Sequence, residues 1–189
     1  MLFAVLIHEM GHLISGLLTG YRFMSFKLLW FSMEDTGNGK RFRIRGINPP
    51  GQCLMYPVKS NADPVMMILG GVVANLVSGM IFIVQGLVIS EIVFKGIALY
   101  LGCIGITIGL YNLSLGSKYS DGNTYREIRR DKEAGHIYNN IMTIYRYFST
   151  GRSYADMPDL LFEISTEGTG PVYDEMREHI ERKKNGCSG

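Results

Sequence analysis

Ile7-His8-Glu9-Met10-Gly11-His12-Leu13 is the stretch from which the rest of the chain can be organised. His8 and His12 are four residues apart, so on a helix they project from one face, about one turn apart. That spacing lets two neutral imidazoles grip one Zn²⁺ while leaving room for a third ligand and a water. Glu9 holds the place of the general base in the His-Glu-x-x-His pattern of metalloproteases. The surroundings are apolar: from Met1 to Leu18, Glu9 is the sole carboxylate, and there is no Lys or Arg. Ionisable groups in such a run are costly to bury and point to function. The plainer alternative is a buried core helix whose polar residues are satisfied by neighbours. Against it, two of the four histidines in the chain occupy these two positions.

Outward from the motif, charge is unevenly placed. The 189 residues carry a net charge of +2, which gives no reason to expect a nucleic-acid partner. Between residues 64 and 115, Glu91 and Lys95 are the sole acidic or basic side chains, while 21–63 and 116–189 hold most of the charge. A mean hydropathy of +0.10 fits a chain that is part membrane and part soluble. Cys53, Cys103 and Cys187 lack metal-site spacing, and no disulfide framework is expected. The first apolar run lacks the basic n-region of a signal peptide, and cleavage would discard the motif.

Three apolar helices follow from this pattern, at about 1–19, 64–89 and 97–115. The first has seven residues ahead of His8 and closes at Gly20. Val65 to Ile89 is free of charge and exceeds the roughly 20 residues a bilayer span needs. Gly71, Asn75 and Gly79 repeat every four residues, as do Gly105 and Gly109, giving small faces for close helix approach. Between the first two helices, Phe23–Leu28 and the alternating Lys40–Arg45 flank a Glu34–Gly39 turn signal, which predicts a β-hairpin over about 22–47. Beyond residue 125 the chain is soluble in character. Helices are expected over about 123–148, from Asp156 to Ile164 and from Pro171 onward. The fold expected is therefore an α-helical polytopic membrane protein. Its membrane-embedded core, residues 1–125, carries the hairpin, and 126–189 form a small helical tail.

With three spans, residues 21–63 and 116–189 share one side and hold eighteen of the nineteen Lys and Arg residues. The positive-inside rule then makes hairpin and tail cytoplasmic in a cell membrane.

A catalytic zinc site needs a third protein ligand. His136 and His179 lie in the tail, where helix-surface positions are expected. Asp121 follows the third apolar helix on the same side as the end of the motif helix; the alternative for Asp121-Gly122 is an ordinary turn.

In these residues the chain resembles the site-2 protease family of intramembrane zinc metalloproteases. The resemblance rests on His8-Glu9-Met10-Gly11-His12, on Gly71-Val72-Val73-Ala74-Asn75, and on Asn112 followed by Asp121-Gly122. It covers roughly residues 1–125. The family's proline after the asparagine is Leu115 here, and the Asn112–Asp121 interval is one residue longer than usual. The resemblance implies Zn²⁺ held by His8, His12 and Asp121, with Glu9 moving a proton from water to the leaving amine. Asn75 and Asn112 would bind the substrate backbone or the oxyanion; interhelical hydrogen bonding is the equal alternative for both. The hairpin would receive a membrane-spanning peptide or protein substrate from the lipid bilayer as an added strand. The activity implied is that of an intramembrane zinc metalloendopeptidase. The alternative is an inactive membrane relative that binds or retains a partner protein, although such a relative has no reason to keep Glu9.

Overall fold

A computed structural model describes residues 1–44, 51–114, 120–165 and 167–186. The motif lies on α1 (Leu2–Leu18), which ends before Gly20 at φ +90°, a backbone conformation that suits glycine. Next come β1 (Tyr21–Leu28), β2 (Phe31–Asp35), β3 (Lys40–Ile44) and β4 (Gln52–Pro57). They form one antiparallel sheet in the order β3-β2-β1-β4. Two long helices follow, α2 (Val65–Val88) and α3 (Ile92–Leu113), then α4 (Asp121–Arg130), α5 (Lys132–Ser149) and α6 (Pro171–Lys184). Short 3₁₀ turns at Tyr154–Asp156 and Asp159–Phe162 stand where a helix from Asp156 to Ile164 was expected.

This corrects the expected α-helical polytopic membrane protein with a three-span core. Among the described residues the chain is a small mixed α/β protein with six α-helices and a four-stranded antiparallel sheet. Two helices, α2 and α3, are long and apolar enough to cross a membrane. At 17 residues α1 falls short, and it buries His8, Glu9, Gly11 and His12 against its neighbours. The third apolar helix starts at Ile92 rather than near 97, taking in Lys95. The expected single hairpin is also replaced. Leu28 pairs with Phe31 across a turn in which Leu29 adopts φ +48°, and no Gly, Asn or Pro advertises that turn. The Glu34–Gly39 signal does mark a turn, but it joins β2 to β3. Gln52–Pro57 becomes the edge strand beside β1. Residues 45–47 of the expected hairpin, Pro49-Pro50 and Leu115 lie outside the described residues.

The small residues divide their work. Gly79 and Gly102 let α2 and α3 come together, since a Cβ on Gly79 would meet the Gly102 carbonyl at 3.0 Å. The outward faces of these helices expose Val77, Ile81, Val84, Phe94 and Ile97. On the other side, the sheet, the start of α2 and the tail helices share one apolar core around Met55, Met67, Ile137, Ile141, Ile144 and Met176. A polar tie crosses it: Tyr21 donates to Asn139 Oδ1 at 2.7 Å, and Asn139 Nδ2 donates to the Ala62 carbonyl at 2.7 Å. Residues 123–148, expected as one helix, break at Asp131, whose side chain caps α5 by accepting from the Glu133 N–H.

Candidate metal centre

His8 and His12 stand on the inner face of α1, both buried, with their Nε2 atoms 3.1 Å apart. Asp121 is the first residue of α4 and reaches them from the far end of α3. Its Oδ2 lies 3.1 Å from His8 Nε2 and 3.5 Å from His12 Nε2. Together His8, His12 and Asp121 form a group that could hold a metal ion.

Local structure explains this convergence. Ser120 caps α4, accepting from the Asn123 N–H at 3.3 Å, and its hydroxyl donates to the Ser114 carbonyl at 2.8 Å. The cap thus ties the start of α4 to the end of α3. Gly122 completes the junction, because a Cβ there would run into the Leu113 carbonyl. On α1, His12 Nδ1 donates to the Met67 carbonyl at 2.8 Å, which leaves Nε2 as the free lone pair. Asn75 is fully buried on α2, with its side-chain nitrogen 3.4 Å from His8 Nδ1. Gly71 sits between these two positions. A Cβ on it would fall 2.5 Å from His12 Nε2 and 2.7 Å from His8 Cε1.

The electrostatics call for a cation. Asp121 Oδ2 is buried without a hydrogen-bond donor among the described residues. Burial alone would raise the Asp121 pKa, but the His12 and His8 imidazoles outweigh it and hold the carboxyl down at about 2. Three acceptor atoms converging on one point need a positive charge among them, either an imidazolium proton or a metal ion.

These groups open into a cavity of about 330 Å³. Glu9, buried beside the two imidazoles, lines it, as do Asn112 and the edge-strand residues Gln52, Cys53 and Leu54. Glu9 fits under the backbone at Gly51, where a Cβ would approach its carboxylate to 2.7 Å. Asn112 donates its Nδ2 to the Ile108 carbonyl at 3.1 Å within α3. The tail closes the far wall through Tyr138, Val172 and Glu175.

The geometry therefore brings His8, Glu9, His12, Asn75, Asn112 and Asp121 to one place. It leaves His136 exposed on α5, as expected, but buries His179, expected at a helix surface, inside the tail, where Tyr154 OH and His179 Nδ1 share a hydrogen bond at 2.8 Å. Sequence reading missed the Met67 carbonyl, Gly51 and the tail wall. A backbone carbonyl carries no residue signature, and nothing about Tyr138 or Glu175 in sequence connects them to residue 8. The chain matches no protein-family model, no curated protein and no solved structure.

Proposed function

We propose that this protein is a zinc metalloendopeptidase, similar to site-2 proteases, that is anchored in a membrane through α2 and α3 and cleaves membrane-embedded peptide substrates. The observation that carries the reading is the Nε2–Nε2–Oδ2 triangle, with edges of 3.1, 3.1 and 3.5 Å. Tetrahedral zinc with ligands at about 2.0–2.2 Å separates them by roughly 3.4 Å, so the triangle has the size of one face of that tetrahedron. The donor set, two imidazoles and one carboxylate, leaves the fourth position open as catalytic sites do.

Bound zinc would supply Lewis acidity, bringing the pKa of its water towards ~7 and polarising a scissile carbonyl. Glu9 shares the cavity with the triangle and would serve as general base towards an attacking water and then as general acid towards the leaving amine. Asp121 Oδ2 and the Nε2 atoms of His8 and His12 would be the atoms that hold the ion. Asn112 lines the same cavity, and rotation of its amide away from Ile108 offers a donor to the developing oxyanion. Among the described residues β4 pairs with β1 alone, and Gln52–Leu54 border the cavity. An extended substrate adding to that open edge would be held straight beside Glu9.

Membrane anchoring draws support from the apolar outward faces of α2 and α3. Seven Lys and Arg residues between 21 and 63 favour the cytoplasm of a cell membrane for the sheet and tail. The test is metal analysis together with peptide cleavage by detergent-purified protein. About one zinc per chain and cleavage lost in Glu9→Gln are expected. A wild-type protein that takes up no zinc at all would overturn the reading.

A further inference from the structure

We infer that Asn75 is a positioning residue for His8: its side-chain oxygen accepts the His8 Nδ1 proton and so holds Nε2 free for metal. This rests on the metal site proposed above.

Three α2 positions at four-residue spacing face the two imidazoles, and each does a different job. The Met67 carbonyl accepts from His12 Nδ1 at 2.8 Å. Gly71 clears the space the rings occupy. Asn75 stands 3.4 Å from His8 Nδ1 with no exposure to solvent. Residues 67, 71 and 75 lie on one helical face, so α2 offers one acceptor to each ring and a gap between them.

Orientation of the Asn75 amide decides its role. With Nδ2 towards the ring, Asn75 would donate to His8 Nδ1, and the His8 proton would then sit on Nε2, in the way of a metal. In that orientation Oδ1 has no hydrogen-bond partner among the described residues, and turning the amide leaves Nδ2 in that place, so the ring atom decides the assignment. Oxygen and nitrogen of a side-chain amide are nearly equal in shape, and hydrogen bonding assigns them. Turning the amide by 180° sets Oδ1 against Nδ1 and gives His8 the tautomer that the Met67 carbonyl gives His12. Metal-bound histidines almost always donate their second ring N–H to such an acceptor. An interhelical hydrogen bond alone would not demand an acceptor at this atom.

Three variants test the inference through Co²⁺ affinity and the visible spectrum of the bound ion, with no reliance on cleavage. Asn75→Leu keeps the approximate shape without an acceptor, and the expected loss of Co²⁺ affinity is about 10- to 100-fold. Asn75→Asp can only accept, and it should bind Co²⁺ within about threefold of wild type with an unchanged tetrahedral spectrum. His8→Ala is the control that should lose most binding. Wild-type affinity in Asn75→Leu, or equal losses in Asn75→Leu and Asn75→Asp, would overturn the inference. If Asn75→Leu fails to fold, Asn75→Asp still decides between acceptor and donor. Failure of the wild type itself to bind metal would sink the metal site, and this inference with it.

Discussion

Gly71 leaves the space that His12 fills: a Cβ on Gly71 would stand 2.5 Å from His12 Nε2, the nitrogen aimed at Asp121. A helix interior ordinarily gains about 1 kcal/mol when Gly becomes Ala. Here the methyl group would enter the metal triangle. Gly71→Ala is therefore expected to hold its helix content while losing most of its zinc. Metal content measured beside circular dichroism checks this, and full zinc occupancy in a folded Gly71→Ala protein would contradict the site geometry.

Glu9 and Gly51 are a second such pair, since the Gly51 backbone lies over the Glu9 carboxylate. Glu9→Gln should keep zinc and lower cleavage by at least ~10²-fold, the usual scale for a lost general base. Gly51→Ala should also keep zinc, yet its methyl group must push Glu9 aside and lower kcat. Steady-state rates at matched zinc content measure both effects. Cleavage at the wild-type rate by Glu9→Gln would end the proposed role.

The His8, His12 and Asp121 group, which could hold a metal ion, was legible because its two histidines obey helical spacing and its aspartate follows the next apolar helix but one. The fold around it was less legible. Three apolar runs look alike in composition, but the first, Leu2–Leu18, carries His8, Glu9 and His12 on its buried face. Hydropathy alone does not separate a spanning helix from one that packs between a sheet and two longer helices. The β1–β2 turn escaped because Leu29 takes a positive φ without a glycine. The tail's share in the cavity wall arises because residues more than 100 positions apart, such as Glu9 and Tyr138, line one cavity, which no local pattern encodes.

Sheet and tail must lie on one side of any membrane that α2 and α3 cross. Arg146 on α5 donates to the Asp35 carbonyl at 2.6 Å and pairs with the Asp35 carboxylate at 3.4 Å. A Cβ on Gly37 would come within 3.3 Å of Thr150. Cysteines introduced at 36 and 150 should thus label together from one face, and a cysteine at 93 should label from the other. Opposite accessibility of 36 and 150 would refute membrane crossing by these two helices.

His179 predicts an acid limit for the tail. Burial, then the Arg182 charge, depress its pKa below 6.5, while Glu178 opposes them weakly. Tyr154 and Tyr145 face the same ring. A depressed folded-state pKa means that the unfolded chain binds the proton more readily. Stability from this group is therefore present above pH ~6.5 and lost as pH falls through the folded value. The protein's thermal transition should drop between pH 7 and 5, and His179→Gln should flatten that slope. An unchanged slope would show that another group sets it.

Ser120 gives the sharpest test of how Asp121 is placed. The aspartate is fixed by the start of α4, and that start is fixed by one hydroxyl which accepts from Asn123 and donates to Ser114. Ser120→Ala removes both bonds, and cap loss typically costs ~1 kcal/mol. It also frees Asp121 to swing away from the imidazoles, so zinc affinity should fall on the order of 10-fold. Ser120→Thr keeps the hydroxyl and should keep most of both. Glu127 supplies the contrast. It accepts from the Val172 N–H at 3.1 Å, capping α6 rather than approaching the metal triad. Glu127→Ala should therefore destabilise the tail by a similar ~1 kcal/mol while leaving zinc affinity unchanged. Equal zinc affinity in Ser120→Ala and wild type would mean that Asp121 is held by something other than its cap. A zinc loss in Glu127→Ala matching that of Asp121→Ala would move the third ligand to Glu127.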